Sequence, residues 1–401
     1  MSTQRTAPRA AAGFSLVELM VSVVIGMLAI LFATKLVVGG EQSKDSAIGG
    51  SDSMQNGMLA LYSISNDVAQ SGWGLNDPLA AGCNTSFVDA NGYALAQRTV
   101  GGVVTTPLAA AVIEPGGAGA DTISLYTGKS AGAVGSLRTN GAVGLGAAVL
   151  PTTVKSPFGF AAGDVLLVVP EPATAANPGC AIVQMAGTQG APNDDQIVIG
   201  TGAGFRFTPD TGIGAGFALG GGRIFNLGPG QLLSFHTWSV RNGVLLLRAT
   251  DLDGAETAGV AVTDNIVTIK AQYGFDARAL PGYNPAPPPD GNGVQLTQWS
   301  NDLINADGDA VVGGPGDYQR VVAIRLAVVA RSKNPEKPGA NGQCSATTVA
   351  PVLFGSASPA TVAPVPVTPG VAVAGDTVPW QCYRYRVFET IVPLRNAQWR
   401  P

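Results

Sequence analysis

Gly13-Phe14-Ser15-Leu16-Val17-Glu18 opens an apolar run that continues to Thr34, and Glu18 is the single charge among the 21 residues from Phe14 to Thr34. As an α-helix the run spans about 32 Å, enough to cross a bilayer. It is therefore expected to be a transmembrane helix. Arg5 and Arg9 precede it with no acidic residue before Glu18, so the positive-inside bias keeps the leader cytoplasmic and sends everything after Val38 outward. An ordinary cleaved secretory signal fits poorly, because its small residues follow the apolar core, whereas here Ala10 to Gly13 come before it. A plain anchor leaves Glu18 unexplained, since a carboxylate in lipid costs on the order of 2 to 3 kcal/mol.

Working outward, Met54, Met58, Leu61, Ile64 and Val68 are spaced 4, 3, 3 and 4. This apolar stripe at helical period predicts that the helix continues as an amphipathic half packed on a globular head. Gly39, Gly40, Gly49, Gly50 and Gly57 interrupt it, each costing about 1 kcal/mol relative to alanine. A break or bend between Gly39 and Gly50 is expected. Ser71-Gly72-Trp73-Gly74 is a glycine stop of the kind that ends helices.

Beyond the helix the composition turns toward short strands and turns. Hydrophobic residues make up 46% of the chain, charged residues 12%, with 54 glycines and 28 prolines. That mix suits a β-rich head more than disorder or long helices. Strands are predicted at Val165 to Val169, Gln196 to Ile199, Leu232 to Val240, Leu245 to Thr250, Ile266 to Phe275, Val321 to Val329 and Arg386 to Leu394. The Ala/Gly-rich stretch from Gly101 to Gly222 is less patterned and is expected to hold long loops or irregular strands. The fold class is α+β: a long N-terminal helix, transmembrane then amphipathic, packed on a β-rich C-terminal head. The divisions are residues 1–13, a leader; 14–38, the membrane half of the helix; 39–72, its amphipathic continuation; and 73–401, the head.

The formal net charge is −4, and without the leader's two arginines it is −6. An acidic balance without a basic cluster argues against nucleic acid as a partner. The nearest approach to a patch is Arg384, Arg386, Arg395 and Arg400 among Tyr383, Tyr385, Phe388 and Trp399, an alternation that a strand with one solvated face explains. Cys83, Cys180, Cys344 and Cys382 lie in the outward part and read as two disulfides, with three pairings open. Proximity favours Cys83 with Cys180 and Cys344 with Cys382. No two have metal-ligand spacing, and with one histidine in the chain a zinc site is not expected.

No catalytic arrangement emerges. His236, between Phe235 and Thr237 in a strand-like run, has no partner motif and reads as structural. Gly128-Lys129-Ser130 resembles the tail of a phosphate loop, but Ile123 stands where the first glycine belongs. The chain is read as no enzyme, with no cofactor. Asn305-Ala306-Asp307-Gly308-Asp309 puts oxygen-bearing side chains at alternate positions, a weak calcium candidate at Asn305, Asp307 and Asp309; Asp251-Leu252-Asp253-Gly254 is a shorter version. Turn chemistry is the commoner reason for both.

The opening hexapeptide, with the short basic leader before it and the apolar run after it, resembles the processing site of type IV prepilins and pseudopilins. The resemblance implies cleavage between Gly13 and Phe14 by a prepilin peptidase, N-methylation of Phe14, and a Glu18 carboxylate that meets the terminal ammonium of a neighbouring subunit when helices bundle. Two groups costly in an apolar bundle become tolerable as a pair, and truncating one strands the other. Further blocks resemble PilW-like minor pilins: Gln55 to Leu61 leading to Ser71 to Gly74 and then Cys83, Val267 to Asp276, Arg320 to Arg331, and Arg386 to Asn396. What this implies is a structural, priming subunit of a type IV pilus, held in the inner membrane with its head in the periplasm and later carried on the fibre or its tip at the cell surface. Its implied partners are other major and minor pilins, the prepilin peptidase and an inner-membrane assembly platform. A minor pseudopilin of a type II secretion system and a tip adhesin are the alternatives.

Overall fold

The computed structural model describes residues 13, 15–130, 135–144, 146–155, 157–171, 179–208, 213, 221–339, 341–355, 365–367, 373 and 375–398. Phe14, Arg5, Arg9, Trp399 and Arg400, all singled out above, lie outside the described residues. The chain divides into two units, residues 1–51 and 52–401, and one helix, α1 (Leu16–Gln70), supplies backbone to both.

In the first unit α1 is bare. Its segment Leu16–Glu41 is 26 residues long and apolar enough to cross a membrane, and every described residue from Ser15 to Glu41 is exposed. The expected break between Gly39 and Gly50 is absent, and helical structure continues through both glycine pairs. Each glycine weakens a helix by about 1 kcal/mol without removing an N–H or blocking a carbonyl as proline would, so a helix extended on both sides propagates through.

In the second unit the three larger of the five sheets among the described residues contribute to one large core. The eight-stranded sheet runs Pro107–Leu108, Cys83–Ser86, Gly179–Thr188, Asp164–Glu171, Gly221–Pro229, Ser136–Arg138, and Gln196–Ile199 branches from Gly179–Thr188 to carry Val149–Pro151. Its central strands are apolar on both faces. Val165, Leu167, Val169 and Ile182 enter the main core, whereas Leu166, Val168, Ala181, Val183 and Ile224 fill a second one. The stretch expected to hold long loops or irregular strands thus carries much of this sheet, including strands over both segments predicted within it, Val165 to Val169 and Gln196 to Ile199. Small residues bury strands on both sides, which erases the alternation that a one-sided strand would show.

The five-stranded sheet is ordered Val260–Asp264, Val244–Ala249, Ser234–Arg241, Thr122–Thr127, Ala111–Glu114. The four-stranded sheet is ordered Gln298–Ser300, Ile266–Phe275, Val321–Arg331, Tyr385–Pro393. Ile266–Phe275 is buried at all ten positions and Val321–Arg331 at all but its last.

Residues 52–70 of α1 pack on this core through Ser53, Gly57, Ala60, Ile64 and Val68, all buried. Met54 and Met58 of the expected stripe are instead 46% and 53% exposed. The helix sits so close to the four-stranded sheet that a Cβ on Gly57 would overlap the Phe388 ring. Gly57 therefore faces inward as the point of closest approach. α1 ends after Gln70, with Gly72 and Gly74 at φ of 86° and 77°, the left-handed region that glycine supplies without strain. Two disulfides are present. Cys83–Cys180 joins strands that run parallel, and Cys344–Cys382 bridges the segment before the strand Tyr385–Pro393.

Candidate functional site

At the start of α1, the Ser15 backbone N–H donates to Glu18 Oε2 at 3.2 Å, and Leu19 N–H donates to Ser15 O at 3.1 Å. Ser15 is thus the residue before the first turn and Glu18 the third within it. That is half of a capping box, in which a glutamate reaches back to the cap's own N–H. The Ser-x-x-Glu spacing just before an apolar run is the signal that could have revealed it. Glu18 also places negative charge at the positive end of the helix dipole. In a lone chain the carboxylate has this local use and remains exposed, with one further oxygen to offer. Gly13 is likewise exposed.

A second cluster fixes the far end of α1 to the head. His236 Nδ1 lies 2.7 Å from Asp67 Oδ2, and its Nε2 lies 2.8 Å from Asp251 Oδ1 and 3.0 Å from Ser234 Oγ. Trp238 Nε1 donates to the same Asp67 oxygen at 2.8 Å. Ser234, His236 and Trp238 alternate along one strand, so all three point to one face, where α1 presents Asp67. Burial disfavours the imidazolium, but hydrogen bonds to Asp251 and Asp67 outweigh it and raise the His236 pKa to about 9. For Asp251 burial again opposes the charge, and the His236 hydrogen bond holds the carboxyl below its usual range.

The imidazole is therefore a cation clamped between two carboxylates, a structural role, and neither ring nitrogen is free to act as a base. A polar cavity of about 160 Å³ borders it, with Asn66, Gln70 and Lys129 in its wall. The carbonyl of Gln70, orphaned at the helix end, accepts from Thr127 Oγ1 at 3.0 Å and Asn396 Nδ2 at 2.9 Å. Asn56 Nδ2 donates to Asp264 Oδ1 at 2.7 Å. Sequence reasoning missed this joint because Asp67 and His236 are 169 positions apart.

The remaining candidates are not brought into a site. Asn305 Oδ1, Asp307 Oδ1 and Asp309 Oδ1 accept from the backbone N–H groups of Gly308, Asp309 and Val311. They are occupied as turn formers, and among the described residues no group of three His, Cys, Asp or Glu side chains is placed to hold a metal. In Gly128-Lys129-Ser130 the backbone is bound to Trp73 and Leu227, with Gly128 N–H donating to Trp73 O and Lys129 N–H to Leu227 O, so no phosphate cradle forms. Arg384 pairs with Glu336, Tyr383 is buried beneath Arg331, and Arg395 lies on the short helix Arg395–Gln398. These residues make no continuous basic face.

The blocks quoted from the C-terminal half converge here. Val267 to Asp276, Arg320 to Arg331 and Arg386 to Asn396 contain three adjacent strands of the four-stranded sheet, against which residues 52–70 of α1 lie. Comparison with known families returns two matches: the type IV pilus-assembly protein W family over residues 238–396, and the prokaryotic N-terminal methylation motif over residues 8–34. No curated protein and no solved structure matches. The first match spans His236's neighbour Trp238 and all three of those strands, and the second spans Glu18 and most of the bare apolar helix. One at each end of the chain, the two matches support a PilW-like type IV pilin and indicate a minor pilin of the type IV pilus.

Proposed function

We propose that this chain is a low-copy subunit that helps prime type IV pilus assembly. It is cut between Gly13 and Phe14 by prepilin peptidase, anchored in the inner membrane by the first half of α1, and combined with other pilins through Glu18. The observation that carries this reading is a bare apolar helix of 26 residues whose first turn holds the only carboxylate before Glu41, inside the methylation-motif match. A surface this apolar requires lipid or a bundle of like helices around it. In either medium the carboxylate needs a cation, and the amine freed by cleavage, four residues away in sequence, is the nearest source on a neighbouring subunit. The pilus-assembly match favours a pilus over a secretion apparatus. The proposed roles are structural, with no catalytic step assigned to the chain.

Mass spectrometry of the mature N-terminus, from membranes with and without prepilin peptidase, tests processing. The expected species begins at methylated Phe14 only when the peptidase is present; a start at Met1 in its presence overturns the proposal. Glu18→Gln separates the two uses of the carboxylate, because glutamine at this position retains the capping box but not the charge. The variant should be cleaved normally and enter fibres about tenfold less well, a deficit of ~1.4 kcal/mol. Normal incorporation would mean that the cap is the residue's whole purpose.

A further inference from the structure

We propose that the outer edge of the strand Tyr385–Pro393 is a docking site for an extended segment of another protein, one that carries an apolar, a basic and an apolar residue at alternate positions. On its inner side this strand pairs antiparallel with Val321–Arg331. Leu394 N–H donates to Val322 O, and Ser332 N–H donates to Arg384 O, which puts the hydrogen-bonded pairs at the even-numbered residues. In an antiparallel ladder the alternate residues aim their N–H and C=O the other way. Val387, Glu389 and Ile391 therefore present backbone donors and acceptors outward, where no described strand pairs with them. Pro393, which has no N–H, falls on the same outward set and marks where the usable edge ends.

Long unpaired edges are usually blunted by charged side chains, lysine above all, by proline within the strand, by bulges or by cover. This nine-residue strand has no lysine, its two charges are Arg386 and a Glu389 already engaged within the head, its proline is terminal, and its register with Val321–Arg331 is unbroken. Beside the outward backbone groups, Val387 and Ile391 are 38% and 50% exposed. Between them on the same face is Glu389, which accepts from Arg325 Nη2 at 3.2 Å and from the Phe354 N–H at 2.6 Å. A second copy of the strand, paired about a two-fold axis at Glu389, would set two carboxylates directly opposite, a destabilising arrangement. A foreign strand with a lysine or arginine at that position meets the charge, and its flanking apolar residues cover Val387 and Ile391, as in strand addition to sheet edges generally.

The test uses the full chain in detergent micelles and the peptide acetyl-Thr-Val-Thr-Lys-Thr-Val-Thr-amide, with residue-resolved amide hydrogen exchange as the readout. The expected result is slowed exchange at Val387, Glu389 and Ile391 with peptide at about 1 mM, the regime of a short unconstrained strand. The same peptide with glutamate for lysine should bind about threefold or more weakly, as a cross-strand charge pair implies. Ile391→Pro removes one outward donor and leaves the inner ladder intact, so it should weaken the lysine peptide by about tenfold while exchange along Val321–Arg331 is unchanged. Absence of slowing in the wild-type chain, equal binding of both peptides, or protection of the three amides before any peptide is added overturns the proposal; the last outcome would mean that the edge is already covered, by a second copy or by this chain itself.

Discussion

His236 is the residue whose chemistry is most changed by folding. Its pKa rises from 6.5 to about 9 because Asp251 and Asp67 together outweigh the cost of burying the imidazolium. A group that binds its proton more tightly when folded stabilises the fold at pH values where the unfolded chain would release it. The contribution is fully present below pH 6.5, and it is lost as pH rises through about 9. At 1.36 kcal/mol per unit the clamp is worth about 2 to 3 kcal/mol near neutrality. The urea-unfolding free energy of the full chain in detergent should therefore fall by about 2 kcal/mol between roughly pH 7 and 9.5. His236→Gln should start lower by a similar amount and show a flatter profile. Equal slopes for the two proteins would mean that the imidazole is not charged in the fold. Nothing in the sequence near Phe235-His236-Thr237 signals this, since its partners come from α1 and from the turn after the next strand. What was legible was the negative statement, that one histidine without a local partner motif is structural. At Glu18 the half of the capping box that forms, from the Ser15 N–H to the Glu18 carboxylate, lies within four residues, so its signal was present locally in the sequence.

The second half of α1 shows how an element's register can be misread while its existence and length are read well. Met54 and Met58 are large and apolar and Gly57 has no side chain, so hydropathy alone assigns the methionines inward. The packing does the reverse, because the helix approaches Phe388 closely enough that only glycine fits. Small residues at Ser53, Gly57 and Ala60 make that approach possible, and Ile64 and Val68 then fill the wider gap lower down. The strands followed the same logic in the other direction. Ile266–Phe275 was legible to the residue because its run is long, β-branched and bounded by asparagine and aspartate. Gly179–Thr188, equally central, was obscured by alanine and glycine. Two substitutions test the helix register. Ile64→Ala, at a fully buried position, should cost about 2 to 4 kcal/mol, whereas Met58→Ala should cost within about 0.5 kcal/mol. Gly57→Ala gains about 1 kcal/mol of helix propensity but must displace the Phe388 ring, so a net loss of roughly 1 to 2 kcal/mol is expected. Pairing it with Phe388→Leu should recover most of that loss, a coupling that a double-mutant cycle reads directly. Additive losses would place the ring away from the glycine.

Across the whole molecule, the apolar helix of residues 16–41 contributes nothing to the core, and the stability of the head rests on its larger sheets and their cross-links. Cys83–Cys180 ties Cys83–Ser86, the first strand after α1 in sequence, to the Gly179–Thr188 strand that lies between the two cores. The segment between these cysteines, which are 97 positions apart, includes the hairpin of Ala111–Glu114 and Thr122–Thr127, which belongs to a different sheet. The bond thus fixes a long excursion of chain whose closure entropy would otherwise be regained on unfolding. The chain-entropy model assigns about 4.7 kcal/mol to a loop of this length and about 4 kcal/mol to the separation of 38 between Cys344 and Cys382. Burial widens the difference. Cys180 and Cys83 are part of the main core, so replacing them also disturbs packing. By contrast, Leu353 and Phe354, inside the second loop, are anchored independently with Val329 in a small cluster of their own. Replacing Cys83 and Cys180 together by alanine should therefore destabilise the head by about 4 to 5 kcal/mol, and replacing Cys344 and Cys382 by less. Chemical denaturation with and without reductant checks both figures. Reductant should lower the wild type by more than either double variant, and the Cys344/Cys382 variant should retain most of its sensitivity. If the Cys83/Cys180 variant unfolds at the wild-type midpoint, the parallel strand pair is held by its ladder and core contacts alone, and the cross-link is dispensable to the head.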